Sequence, residues 1–510
     1  MIRSFSYKIG FIYLTKIISV LTGFLSMVTV LPLLVSNTGI FGVYTVCVSL
    51  SLFFSYADLG FVNAGQKYAA EYFAMKDLNK EISVIGFVLF IGAIIILIVS
   101  AIVLFAAFNP TVLLKSGDPD NLAVSRMLLL TLSFSGITVL FQRYNHLVYS
   151  IRVEDYIYQS IDVLGNMLKI ACIQFFITKT SYDIVGYFVT IQAISFLSSV
   201  VSLVISIQKY HYNPKQILIS VRFSTEMFNL TKGLALSSLL TTISFILWYE
   251  VDAVILGAYY GPEVVSVYAI GFTLLSLFRT VYNTIYSPFL TRFNHFVGAK
   301  NEFALCQSFR FLTKTTLPLC IIPPAVIIFY MRDIIATWLG CNYSSSVYIS
   351  QLYVATAALS HGFLVPISFL MISKSQHAVL RVASVTMPIV FYSSLFIFHF
   401  YFGNESLAYA KILTAIFNLT LTFYLVSNNL GIKSLNVYAS VLKKIIFPIV
   451  VMLILFWKLP VTYFEDSSKI VAYFRILAAV SPSLIIPLVL YYYLDVEIRC
   501  RFVRFLDSFY

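Results

Sequence analysis

Apolar runs recur along the whole 510-residue chain with only short polar connections between them. An α-helix needs about 17 to 25 such residues to cross hydrocarbon. Six runs fall at 11–34, 40–56, 83–108, 127–148, 157–177 and 184–207. Six more follow at 230–256, 264–286, 312–330, 347–371, 379–401 and 407–426, and two close the chain at 445–457, extended by its flanks, and 470–493. The pattern predicts an all-α integral membrane protein with about 14 transmembrane helices, arranged as two six-helix bundles plus two C-terminal helices. The expected divisions are an N-terminal bundle at 1–208, a cytoplasmic linker at 209–229, a second bundle at 230–428, and two additional helices with a cytoplasmic tail at 429–510.

Composition agrees: 60% of residues are hydrophobic and 11% are charged. A water-soluble domain carries about a quarter charged residues, so most of this surface is expected to face lipid. The first run is too long and too polar inside for a cleaved signal peptide, and no small-residue cleavage site follows it, so it is expected to remain. The six cysteines show neither CxxC spacing nor clustering with histidine. That predicts neither a zinc site nor a redox motif, and no cofactor.

The net charge of +12 is distributed by loop rather than pooled in a patch. Lys67, Lys76, Lys80, Arg152, Lys209, Lys215, Arg222, Lys433 and Lys443 lie in one set of alternate connections, and the opposite set holds little beyond Lys115, Arg126, Lys179, Arg332, Lys458 and Lys469. This is the positive-inside pattern. It predicts that both termini are cytoplasmic, which requires an even number of spans, and it leaves no reason to invoke a nucleic-acid partner.

The two halves share a short repeat. Phe41-Gly-Val-Tyr44 followed by Leu50-Ser-Leu-Phe53 has a counterpart in Val265-Ser-Val-Tyr268 followed by Leu275-Ser-Leu-Phe278. With six spans per half, such repeats share one orientation about an axis along the membrane normal.

Charges within spans cost about 2.5–3.5 kcal/mol each even on lenient insertion scales, so those retained usually face a cavity. Arg143, Lys232, Lys314, Lys411 and Arg475 lie near span ends and are read as reaching the interface. Lys16, Lys169 and Arg279 lie deeper. In the fifth run, Gln159, Asp162, Asn166 and Lys169 are spaced i, i+3, i+7, i+10, which puts them on one helix face. Ser276, Arg279, Asn283 and Tyr286 repeat that spacing in the eighth run, and Ser237, Thr241, Ser244 and Trp248 form a stripe in the seventh. Cations with hydroxyl, amide and aromatic groups suit an anionic head carrying sugars. The expected substrate path is therefore Lys16, Asp162, Asn166, Lys169, Arg279 and Asn283, with Asp58 and Asp252 as candidate gating residues.

The stretch Tyr56-Ala-Asp-Leu-Gly60-Phe-Val-Asn-Ala-Gly65, with Ala69-Ala-Glu-Tyr72 after it, resembles the turn of Wzx-type bacterial polysaccharide flippases. Glu250-Val-Asp252-Ala-Val-Ile-Leu-Gly257, continued by Gly261-Pro-Glu-Val-Val-Ser-Val-Tyr268, and Ile335-Ala-Thr-Trp-Leu-Gly340 are similar to further segments of that family. The family lies in the multidrug/oligosaccharidyl-lipid/polysaccharide (MOP) exporter superfamily. The resemblance implies two six-helix lobes, a central cavity and alternating access. It also implies undecaprenyl-diphosphate-linked O-antigen or similar repeat units as cargo, a bacterial inner-membrane location, and a polymerase and chain-length regulator as pathway partners.

Two other classes fit the sequence less well. A polymerase or ligase of the same pathway typically carries a large periplasmic loop, which the connections here do not supply. Gly117-Asp-Pro-Asp120 reads as a turn rather than a metal-binding Asp-x-Asp. A small-solute transporter of the major-facilitator type would need a basic loop after the second span that 60–67 does not form, and a multidrug exporter would share the fold. No phosphate-cradling glycine run occurs, so the chain is not expected to hydrolyse ATP or to be an enzyme.

Overall fold

The computed structural model describes residues 2–56, 60–116, 118–178, 180–298, 302–361, 376–430, 434–459, 469–495 and 498–499. Apart from an isolated bridge between Ile177 and Tyr182, regular structure among them is helical. Hydrocarbon dictates this, because every backbone N–H and C=O there needs a partner within its own segment.

Contacts divide the chain into two compact units, Met1–Ala269 and Ile270–Tyr510. The first contains α1 (Ile2–Thr29), the single turn α2 (Leu31–Leu34), α3 (Thr38–Ser55), α4 (Phe61–Ala74), α5 (Leu78–Phe108), α6 (Pro119–Phe134) and α7 (Gly136–Ile151). It continues with α8 (Asp155–Phe176), α9 (Ile184–Tyr210), α10 (Pro214–Ser220), α11 (Thr225–Phe245) and α12 (Asp252–Tyr260). The boundary falls inside α13 (Pro262–Gly298). After it come α14 (Glu302–Phe329), α15 (Met331–Leu339), α16 (Ser346–His361), α17 (Gln376–Phe402), α18 (Ser406–Leu430), α19 (Ser434–Lys458) and α20 (Lys469–Leu494).

Each of the fourteen predicted runs is mainly helical over its described residues, with breaks at Val30, Ser135 and Val251. Ten stretches among those residues are long and apolar enough to cross a membrane, or eleven with one bent pair counted. The shortfall has physical causes. Ser384–Tyr424 counts once although it holds both α17 and α18. The polar stripe of α8 lowers that helix's mean hydropathy. Helix starts are capped as their sequences predict: Asn37, Asp77, Asp183, Asn213 and Ser224 each accept from a backbone N–H two or three residues on.

In the first unit, α4, α5 and α7 bury Val62, Ile85, Val88, Leu147 and Val148 together. Two glycines permit close approach. A Cβ on Gly86 of α5 would come within 2.4 Å of the Ser220 carbonyl oxygen, and one on Gly42 of α3 within 1.8 Å of the Pro262 carbonyl oxygen. Next to the second contact, the Lys115 amide donates to the Gly257 carbonyl at 2.8 Å, and Gly261 has φ +92°, a conformation that only glycine adopts cheaply. A seam therefore joins α3, the 110–116 connection and α12.

In the second unit, α17 and α18 form an antiparallel hairpin about the three-residue turn Gly403–Glu405, with Gly403 at φ +54°. Separately, α14 packs on α19 and α20 through Ile322, Val326, Tyr330, Met452, Phe456 and Ala479. The Phe329 and Phe456 rings stack at 3.9 Å. Pro318, Pro323 and Pro324 lie within α14, and Pro482 and Pro487 within α20. Such prolines are tolerated where neighbouring helices satisfy the freed carbonyls: the Tyr491 hydroxyl donates to the Lys314 carbonyl at 3.0 Å, and Tyr492 to that of Thr315 at 2.7 Å.

Candidate functional site

The polar stripe of α8 is preorganised. Asn166 Nδ2 donates to Asp162 Oδ2 at 3.1 Å, and Lys169 Nζ donates to Asn166 Oδ1 at 3.0 Å. These three side chains and Gln159 are half-buried, whereas Leu164, Leu168 and Phe175 on the opposite face are exposed. That arrangement is what a lipid-facing apolar side and an inward polar side require. The neighbouring helix α1 joins the stripe through Thr15, whose hydroxyl donates to Gln159 Oε1 at 2.8 Å. Lys16 is half-buried beside Thr15. Burial pushes the Asp155 carboxyl at the start of α8 up, an effect that His146 of α7 and Lys16 oppose. The first unit thus gathers Lys16, Asp162, Asn166 and Lys169 from two packed helices.

The other predicted positions are placed separately. Arg279 is half-buried on α13 and Asn283 is exposed, while Tyr286 turns inward to Cys320 at 3.8 Å. Asp252 is buried at the first residue of α12. It follows a π-helical turn, Ile246–Glu250, and the two flanking helical pieces meet at 44°. Tyr56, at the end of α3, donates to Glu250 Oε1 at 3.1 Å across this break. Asp58 and the side chains of Ser237 and Thr241 lie outside the described residues.

No family model and no curated protein matches the sequence. Solved structures do match. The lipid II flippase MurJ in its inward closed conformation is similar with a TM-score of 0.62 and 14% identity, over 94% of this chain and 97% of that one. A eukaryotic MATE transporter gives 0.58 and 12%, over 86% and 99%. An inward-facing multidrug resistance MATE family transporter of the MOP superfamily gives 0.54 and 16%, over 81% and 95%. The chain shares the fold of these structures.

Within this fold, two charged features escaped the sequence pattern. Lys411 of α18 is fully buried, not at the interface as its place near a span end suggested. Its ammonium lies 5.5 Å from the centroid of the Phe391 ring on α17, a cation–π distance. The hairpin partner shields it where a lone helix would have let it reach water. The second feature joins short connections. Arg152 pairs with Glu81 at 2.8 Å, and its guanidinium lies 4.7, 4.4 and 5.1 Å from the ring centroids of Phe73, Tyr210 and Tyr212. The Tyr212 hydroxyl also donates to Glu81, at 2.5 Å. Next to this pair, Glu154 accepts from Lys209 at 2.6 Å and Tyr210 at 2.7 Å. No local signal marks these pairings: the 57–82 connection carries Asp58, Glu71 and Asp77 besides Glu81, and Asp155 follows Glu154.

Proposed function

We propose that this multi-pass membrane protein is a flippase. It carries undecaprenyl-diphosphate-linked oligosaccharide, an O-antigen or similar repeat unit, from the cytoplasmic to the periplasmic face of a bacterial inner membrane, with both termini cytoplasmic. The supporting observation is the half-buried Lys169–Asn166–Asp162 chain on α8, turned away from the lipid-facing Leu164 and Leu168 and flanked by Lys16 on α1. A diphosphate and its sugars cannot enter hydrocarbon bare, since each unpaired hydroxyl costs about 2–7 kcal/mol and each charge far more. Fixed cations replace water for the phosphates, and amide and hydroxyl groups replace it for the sugars.

In this reading Lys16 and Arg279 receive the diphosphate, Asp162, Asn166, Lys169 and Asn283 contact the passing head, and Asp58 and Asp252 influence gating. The two repeats at 1–208 and 230–428 expose this path to one side at a time, and the linker at 209–229 joins them. The protein makes and breaks no covalent bond; the pathway's polymerase and chain-length regulator act on what it delivers. MATE neighbours support a second reading, a multidrug or small-solute exporter with the same fold.

Deleting the gene and analysing undecaprenyl-linked intermediates by mass spectrometry separates these readings. Complete single repeat units accumulating on the cytoplasmic face, rescued by the wild-type gene, support the flippase. Units that reach the periplasm and lose only chain length indicate a polymerase. Normal polysaccharide with heightened drug sensitivity indicates the exporter.

A further inference from the structure

The connection between α9 and α11 contains α10, whose two sides differ. Ile217 is buried, Gln216 donates to Asn79 Oδ1 at 3.0 Å, and Ser220 lies against Gly86. The other side presents Leu218 and Ile219, 73% and 70% exposed, with exposed Lys215 between them on the helical wheel. Just beyond, Phe223 is 53% exposed although its ring meets Phe87 and Phe90 of α5. Exposed Arg222 adjoins it, and exposed Lys80 sits on the first turn of α5, one residue from the Asn79 that α10 contacts.

The depth of this surface follows from α5. That helix has 31 residues, about 46 Å at 1.5 Å per residue, against about 30 Å of hydrocarbon. From Gly86 to its last residue Phe108 is 22 steps, about 33 Å. If Phe108 marks one face of the hydrocarbon, Gly86 marks the other, and Ser220 beside it puts α10 at the headgroup boundary. Three exposed apolar side chains at that level belong in acyl chain ends, and three cations among them belong at phosphates.

We propose that α10 and its flank to Phe223 form an interfacial anchor that binds anionic phospholipid of the leaflet: Leu218, Ile219 and Phe223 enter the acyl boundary, and Lys80, Lys215 and Arg222 hold the lipid phosphates. The connection between α9 and α11 is then a membrane-bound element that senses leaflet charge, whatever cargo the protein carries.

The full chain in nanodiscs provides the test. Ile219→Trp adds fluorescence over the native tryptophans, and that increment is compared in discs containing acyl-brominated phosphatidylglycerol or acyl-brominated phosphatidylcholine. The expected result is quenching by both, at least twofold stronger with phosphatidylglycerol at low salt and weakening as salt rises. The preference is lost in Lys80→Gln/Lys215→Gln/Arg222→Gln, retained in Lys215→Arg/Arg222→Lys, and unaffected by inorganic phosphate. Equal quenching by both lipids in the parent overturns the headgroup site. Quenching only by aqueous iodide overturns the anchor in favour of a solvated linker, and quenching by neither overturns it in favour of a protein-covered face.

Discussion

The Arg152 guanidinium lies 2.8 Å from Glu81 Oε1, with only 8% and 2% of the two side chains exposed. Removing one partner of a buried pair leaves an uncompensated charge and costs about 3–5 kcal/mol, whereas removing both is far milder. Arg152→Met is expected to lower the detergent unfolding temperature sharply and Glu81→Gln/Arg152→Met to recover part of it. Equal losses in the single and double variants would show that packing on Phe73 and Tyr210, not charge pairing, is what Arg152 supplies.

For the α8 stripe, Lys169→Ala is expected to reduce surface polysaccharide at least tenfold at normal membrane levels, and Asp162→Asn less. Leu164→Ala, on the lipid-facing side, serves as the control and should leave output unchanged. Immunoblotting of membranes beside polysaccharide gels reads both quantities, and wild-type output from Lys169→Ala would remove that residue from the substrate path.

Lys411→Met keeps side-chain length while removing the buried charge beside Phe391. Removing one charge from a buried site strands the groups that hold it, which costs about 3–5 kcal/mol when a charge is left behind. We expect the variant to unfold at a lower temperature and to lose transport at matched membrane levels. Full transport with a lowered unfolding temperature would assign Lys411 to structure alone.

Gly42→Ala places a methyl within 1.8 Å of the Pro262 carbonyl oxygen, so α3 and the start of α13 have to separate. Overpacking of this kind costs about 1–3 kcal/mol. Gly10→Ala, with nothing within 4 Å of the added methyl, is the matched control. Unfolding measured side by side should show a loss only for Gly42→Ala.

Asp495 follows the last residue of α20. Burial pushes its carboxyl up, but the Lys444 ammonium at 2.7 Å and the Ile498 amide at 3.3 Å outweigh that and hold it below the usual carboxylate range. A depressed folded value stabilises fully above the unfolded value of about 3.9, and the contribution disappears as pH falls through the folded value. Stability of the wild type should therefore decline below about pH 4 more steeply than that of Asp495→Asn, in thermal scans of both proteins across acid pH.

Most of the helix pattern was legible because hydrocarbon imposes one rule on every span. The α8 stripe was legible too, since i, i+3, i+7 spacing fixes a shared face before any partner is known. Its hydrogen-bonded chain follows from the same spacing. What escaped detection depends on pairing across the sequence. Arg152 meets Glu81 from 71 residues away, and nothing local to either residue announces it. Lys411 was misread for the same reason: position along a span sets how far a lysine must reach for water, but only the packing of α17 against α18 decides whether it does. The bend before Asp252 likewise arises from a π turn, Ile246–Glu250, that no proline marks.

The hairpin turn Gly403–Glu405 also bears on biogenesis. With three residues between them, α17 and α18 cannot be released into the bilayer one at a time without stretching the turn. They are expected to enter the bilayer as a pair, with Phe391 covering Lys411 before it meets lipid. A residue too polar to partition alone is thus inserted as half of a preassembled unit, and lengthening that turn should impair membrane integration before it impairs anything else.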